Sequence, residues 1–185
     1  FDFDDVANDI SDKMVARHPH VFGDESRDKS ADQQTQDWEK IKAAERAAKK
    51  RGGVLDDVAL GLPALMRAVK LQKRAARVGF DWPDISMVVD KIVEEARELS
   101  EAQTESNPDH LAEEYGDLLF VIANLGRHLR IDPEEALRHA NSKFTRRFHF
   151  IEAELKKRGK SPEQSDLDEM DTLWNAAKAQ EKSKA

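Results

Sequence analysis

"KIVEEARELS" (Lys91–Ser100) and "EEYGDLLF" (Glu113–Phe120) decide how this chain is read. Both carry apolar residues at helical spacing, and both set carboxylates three apart, Glu95 with Glu98 and Glu114 with Asp117. A helix that needs only solubility keeps such groups on its outer face. At about 100° per residue, Ile85, Val88, Ile92, Ala96 and Leu99 share one arc of a helix over 84–103, broadened by Val89 and Val93. Glu95 falls on the margin of that arc, with Lys91 and Glu98 just beyond it and Glu94 farther round. In a second helix over 108–130 the arc is Leu111, Leu118, Ile122, Leu125 and Leu129, with Glu114 inside its edge and Asp117 beside it. The inner carboxylates are therefore expected to border the core.

Carboxylates gathered at a core edge repel and raise one another's pKa unless something neutralises them. Arg97 points away from the group, and Lys91 supplies a single charge. A hard divalent cation answers the need, because carboxylate oxygens suit Mg²⁺ or Mn²⁺ and bound Mg²⁺ takes substrate phosphates. The i, i+3 spacing lets two side chains of one helix converge on one ion. For each Glu taken alone, the competing reading is an ordinary solvated helix face.

The flanking sequence reads as further helices. Residues 4–20 form a helix that Pro19 ends, 23–36 read as a polar loop, and a short helix follows around 37–50. "RGGVLDDVALGLP" (51–63) reads as a linker hinged at Gly52-Gly53. A helix after Pro63 stops at Gly79, and Asp84 caps the one that follows. Asn107-Pro108 and Asp132-Pro133 each open another by a cap followed by proline. The second of these is stopped by Gly159, and a last helix covers 167–182. No segment alternates with period two, so the expected fold is all-α, a helical bundle.

Composition narrows the function classes. With 30 Lys and Arg against 37 Asp and Glu, the net charge is −7, which argues against a general nucleic-acid binder. No cysteine is present, excluding disulfides and thiolate metal sites. No apolar run is long enough to span a bilayer and no signal peptide opens the sequence, so no membrane role and a cytoplasmic location are expected. The chain opens on Phe1 rather than Met, as a fragment would. His18 and His20 lack a third metal ligand, and Trp82, between Phe80 and Pro83, reads as a core plug at a turn.

A weak internal repeat is also present. "SDKMVARHPHVF" lies over "NSKFTRRFHFIE", matching Lys13 to Lys143 and Arg17 to Arg147. "WEKIKAAE" lies over "WNAAKAQE", matching Trp38, Lys42 and Glu45 to Trp174, Lys178 and Glu181. Nothing ahead of the first copy corresponds to the two acidic helices.

E-E-x-x-E at 94–98 followed by E-x-x-D at 114–117 resembles the MazG-type nucleoside triphosphate pyrophosphohydrolases, as do "EEYGDLLF", "GFDWPD" (79–84) and "RHPHVF" (17–22). The resemblance runs over nearly the whole chain. It implies a remnant of an N-terminal repeat over 1–50, a linker over 51–61 and a C-terminal catalytic domain over 62–185, completed by homodimerisation. It implies Glu95, Glu98, Glu114 and Asp117 as ligands of Mg²⁺, with Mn²⁺ as a substitute, and Glu95 or Glu98 as the group that activates water. Lys91, Glu94, His110, Glu113, Lys143, Arg147 and Trp174 join Glu95, Glu114 and Asp117 around the nucleoside triphosphate. His110 stands where a lysine is expected, and as a neutral imidazole it would leave one phosphate contact fewer. The reaction implied is hydrolysis between the α and β phosphorus, giving a nucleoside monophosphate and pyrophosphate. For Lys143 and Arg147 the competing reading is a solvated basic face, and for Trp174 an apolar anchor. Two other classes remain open: an all-α phosphohydrolase for dUTP or a histidine-pathway nucleotide, and a non-catalytic helical dimerisation module.

Overall fold

The computed structural model describes residues 1–26, 28–48, 53–56 and 58–183. Those residues form helices α1 (Phe3–Arg17), α2 (Pro19–Phe22), α3 (Ala31–Ala48), α4 (Ala64–Ala76), α5 (Ile85–Ala102), α6 (Pro108–His128), α7 (Pro133–Lys157) and α8 (Leu167–Lys182), with a 3-10 turn at Pro162–Gln164 before the last. No strand occurs among them, so the fold is all-α. The chain divides into two compact units, Phe1–Asp56 and Asp57–Ala185. Arg51, Gly52 and Asp57, part of the expected linker, lie outside the described residues.

In the first unit α1 packs on α2 and α3. Asp2 and Asp5 exchange backbone bonds in a capping box that starts α1 two residues after the chain's first. The segment 31–36, expected as loop, is the first part of α3. The reason is a second reciprocal pair, in which the Ser30 hydroxyl accepts from Gln33 N–H and the Gln33 amide oxygen accepts from Ser30 N–H. No described side chain of this unit is fully buried. Arg17 and Trp38, members of the repeat, line one cleft with Lys29 and Asp37.

In the second unit α5 and α6 form a tight antiparallel hairpin, and α4 lies against the other side of α6. Gln72 of α4 donates to the Phe120 carbonyl at 2.8 Å. Farther along, Arg127 binds Asp81 just beyond the end of α4, so α4 and α6 run in the same direction. Arg127 Nε also donates to the buried Asn124 Oδ1 at 2.8 Å. Burial pushes the Asp81 carboxyl up, but the Arg127 hydrogen bond and the Arg127 and His128 charges outweigh it and the net shift is down. "GFDWPD" is therefore tied to the C-terminal end of α6, with Trp82 half-buried in the turn.

Being sandwiched changes which residues of α6 are inside. Val121, Ala123, Asn124 and Gly126 are buried, whereas Ile122 and Leu129 of the expected arc are exposed. On α5 the buried residues are Val88, Glu95 and Ala102, each seven apart, while Ile85, Val89, Val93 and Ala96 are exposed. Two of the helix stops behave as read: Gly79 at φ 87° and Gly159 at φ 71° are left-handed. They let Phe80 N–H reach the Ala75 carbonyl and Lys160 N–H the Leu155 carbonyl, closing α4 and α7.

α7 and α8 make a second hairpin around Ile151, Leu155 and Leu173, with Phe148, Met170 and Trp174 packed against them. Glu169 locks its turn by accepting from Arg158 at 2.8 Å, Lys160 at 3.0 Å and Ser165 at 2.8 Å. The Lys160 bond is the main cause that holds its carboxyl at about 2, with Ser165 and Arg158 adding to it. A depressed carboxyl adds stability above its ordinary value of 4.5 and loses it as pH falls toward about 2. Glu169→Gln should accordingly lower the thermal midpoint at neutral pH, and the gap to wild type should close as pH drops through that window. Melting curves across the acid range, with the gap unchanged, would contradict the lock.

Candidate metal and nucleotide site

The α5–α6 interface brings three acids together. Glu95, Glu98 and Glu114 each offer a carboxylate oxygen, and those oxygens all lie within 4.8 Å of one another. Glu95, expected on the margin of its arc, is only 4% exposed. Its line on α5 continues Val88 and Ala102, because seven residues nearly complete two helical turns. Glu98 and Glu114 are half-buried beside it. Asp117 is exposed and outside this group of three.

Two side chains already offset part of this charge. Lys91 Nζ lies 2.7 Å from Glu95 Oε1 and 3.0 Å from Glu94 Oε1. Hydrogen bonding to Glu95, then to Glu94, pushes the Lys91 ammonium up against the opposing effect of burial. His110 spans two acids, with Nδ1 at 2.8 Å from Glu105 and Nε2 at 3.1 Å from Glu114. The bond to Glu105 is the main cause that raises its pKa, with both acids' charges adding to it. The Glu105 contact was not expected from the sequence, because position 105 lies in the preceding loop and reaches His110 only as that loop folds back. Glu98 makes no ion pair among the described residues, and Glu113 is exposed.

The donor set fits a hard divalent ion. It is all carboxylate oxygen, it is clustered, and its buried member has one compensating cation for several acids. No other group of three ligating side chains occurs among the described residues, His18 and His20 included.

Lys143, Arg147 and Trp174 are gathered elsewhere, on the α7–α8 hairpin. The Arg147 guanidinium lies 5.3 Å from the Trp174 ring centre, and Phe144 packs on the same ring at 5.4 Å. Glu181 accepts from Arg147 Nε at 2.9 Å and from Arg146 Nε at 2.7 Å, which pushes its carboxyl down, Arg147 contributing most. Lys143 is exposed. Arg146 and Glu181 carried no assigned role in the sequence. The available signal was the spacing of Trp174 and Glu181, seven apart on one face of α8.

Residues 85–150, which hold the acid cluster, match the MazG nucleotide pyrophosphohydrolase domain. Over 183 residues the chain is 47% identical to a nucleoside triphosphate pyrophosphohydrolase of Escherichia coli K12, covering 98% of this chain and 69% of that protein. It is 42% identical over 178 residues to a nucleoside triphosphate pyrophosphohydrolase/pyrophosphatase MazG of Thermotoga maritima, covering 96% of this chain and 66% of the relative. The uncharacterized protein YabN of Bacillus subtilis is 46% identical over 183 residues, 98% of this chain and 37% of YabN.

Removing the Lys91 ammonium leaves the buried Glu95 carboxylate without its partner. Lys91→Met should lower stability in metal-free buffer by about 2 kcal/mol, less than a fully buried pair would lose because Lys91 is partly solvated. Added Mg²⁺ should recover part of the loss. Calorimetry that finds no destabilisation would show that Glu95 does not depend on Lys91.

Proposed function

The chain belongs to the MazG nucleotide pyrophosphohydrolase family, and on that premise we propose that it hydrolyses nucleoside triphosphates to nucleoside monophosphates and pyrophosphate at the Glu95, Glu98 and Glu114 cluster. The observation that carries this reading is the convergence of those three carboxylate oxygens within 4.8 Å at a buried helix interface. Glu95, Glu98 and Glu114 would hold Mg²⁺, or Mn²⁺ in its place, with Asp117 completing the set from the next turn of α6. When bound, the divalent ion offsets triphosphate charge and polarises the phosphoryl oxygens.

The chain's own groups do the rest. Glu98, half-buried and without an ion pair among the described residues, accepts the proton of the attacking water more readily than Glu95, whose carboxylate is engaged by Lys91. The water oxygen bonds to the α phosphorus, the bond from that phosphorus to the bridging oxygen breaks, and pyrophosphate leaves. Lys91, Lys143 and Arg147 offset the charge that builds on the departing group. Glu94, His110 and Glu113 border the nucleotide, and Trp174 flanks it with a ring already backed by Phe144. The same reading includes a homodimer, residues 1–50 as the remnant of a first repeat, 51–61 as a linker, and 62–185 as the catalytic domain.

Glu98→Gln removes one carboxylate charge without a change in volume. It should reduce Mg²⁺-dependent pyrophosphate release by at least two orders of magnitude, with the far-ultraviolet spectrum unchanged. Near-wild-type turnover at saturating Mg²⁺ would sink the assignment.

The repeat supplies a second test. Lys13 and Arg17 sit in a unit with no comparable acid group among the described residues. Lys13→Ala with Arg17→Ala should leave turnover nearly unchanged, whereas Lys143→Ala with Arg147→Ala should raise KM severely. Equal losses from the two double variants would bring the first copy into the site.

A further inference from the structure

A single carboxylate of α8 holds two neighbouring arginines of α7, and it holds both by the same edge. Glu181 Oε2 lies 2.9 Å from Arg147 Nε and 2.8 Å from Arg147 Nη2. Its Oε1 lies 2.7 Å from Arg146 Nε and 2.7 Å from Arg146 Nη2. A guanidinium is a planar fork with donors along two usable edges, the Nε side and the Nη1–Nη2 end. The Nε side of Arg147 is taken by Glu181. Among the described residues no other group accepts from this guanidinium, so the Nη1–Nη2 end stays available.

Arg147 has little freedom to turn. Its side chain is 16% exposed, and its guanidinium lies 5.3 Å from the centre of the Trp174 ring, which Phe144 backs. Glu181 is itself fixed from the other side, because Arg146 engages its second oxygen. The two arginines push the Glu181 carboxyl down, Arg147 most, so the fork stays charged at neutral pH. A tie between α7 and α8 needs only one arginine, and solvated pairs contribute little. Holding two like charges together where α8 ends, at Lys182, has a different consequence. Both guanidiniums border an open cleft of about 580 Å³, lined also by Phe150 and Gln180. An anion can reach them there without moving a helix.

We propose that Glu181 is a positioning residue for the triphosphate: it holds the Nε side of Arg147 so that the Nη1–Nη2 end meets phosphate oxygens. The phosphate adds to the fork and does not displace Glu181. This rests on the hydrolase reading above, in which Arg147 meets the triphosphate, and adds how that cation is aimed. Bidentate contact between a guanidinium and a phosphate depends on geometry as well as charge. An arginine already held in place loses less side-chain entropy when the ligand arrives. The sign of the effect follows. Loss of a positioning carboxylate weakens nucleotide binding, whereas loss of a mere competitor for the guanidinium tightens it.

Glu181→Met keeps the length of the side chain and removes both acceptor oxygens. KM for a nucleoside triphosphate with Mg²⁺ should rise about tenfold, with a much smaller fall in kcat. Glu181→Asp, which restores a carboxylate on a shorter stem, should recover part of that loss. In an Arg147→Ala background Glu181→Met should add no further rise, because no guanidinium is left to aim. Losses that simply add would show Glu181 acting through the fold alone and overturn the proposal, as would an unchanged or lowered KM. Calorimetric titration with inorganic tripolyphosphate, below each variant's melting transition, reads the same contact without turnover. A wild-type chain that binds tripolyphosphate about tenfold more tightly than Glu181→Met, yet releases no pyrophosphate from a nucleoside triphosphate, removes the hydrolase reading and keeps the positioning role. A wild-type chain that does neither removes both.

Discussion

The second unit is organised around a carboxylate that is almost wholly buried. Taking an ion out of water costs several kcal/mol even after relaxation, and Glu95 bears that cost at the middle of the α5–α6 interface. It is tolerable because Lys91 stands one turn earlier on the same helix and reaches back at 2.7 Å. A hydrophobic residue there would pack the hairpin with less difficulty. The retained charge agrees with the proposed role, in which a buried carboxylate beside two half-buried ones would serve as a preorganised ligand set. The remaining features of the hairpin keep that set in register. Asp84 caps α5 and Asn107 caps α6, and the Asp81–Arg127–Asn124 chain fixes the end of α4 against α6.

The basic side of the proposed site obeys a different rule. Arg147 is not poised as a free cation: its guanidinium is shared with Glu181 and laid near the face of Trp174. This fixes its orientation before any ligand arrives, so less side-chain entropy is lost on binding. The same fork means that a phosphate must compete with Glu181 for the guanidinium or add to it from the open side. Lys143, one turn earlier and exposed, has no such constraint. A chain of net charge −7 would repel a polyanion at long range. In the proposed site attraction would have to be local, through a bound cation and a few well-placed bases rather than overall charge.

Local chemistry was the most legible part of the sequence. Asp84, Asn107-Pro108, Asp132-Pro133, Gly79 and Gly159 each act through bonds within a few residues of themselves, and the helix ends fall where they indicate. The Ser30–Gln33 box is equally local, and it was passed over because 23–36 lacks an apolar stripe. Burial was less legible, since it depends on neighbours. A single arc per helix describes a helix with one partner. α6 has several, and so buries Ala123 and Asn124 while Ile122 stays open. For α5 the exposed valines read as core because they are apolar, though the hairpin alone leaves them uncovered. The acid cluster itself was visible in spacing, but the depth of Glu95 and the grip of Glu105 on His110 were not.

The repeat shows how far one packing substitution reaches. Continuing the match of Lys13 with Lys143 puts Val21 at the place of Ile151 and Glu25 at that of Leu155, and the match of Trp38 with Trp174 puts Asp37 at that of Leu173. The three side chains that form the α7–α8 core are thus answered in the first unit by one valine and two acids. Glu25 and Asp37 are bridged by Lys29, at 2.5 and 2.8 Å. Burying each of the three apolar side chains is worth about 1.5–3 kcal/mol, whereas solvated ion pairs contribute little and are screened by salt. The first unit accordingly has no fully buried described side chain. Trp38 is covered by Lys42 of its own helix, at 3.4 Å from the ring centre, where Trp174 is covered by Arg147 of another. Arg147, coming from a neighbouring helix, joins α7 to α8. The first unit thus keeps Lys13, Arg17 and Trp38 without the apolar core that backs Lys143, Arg147 and Trp174 in the second.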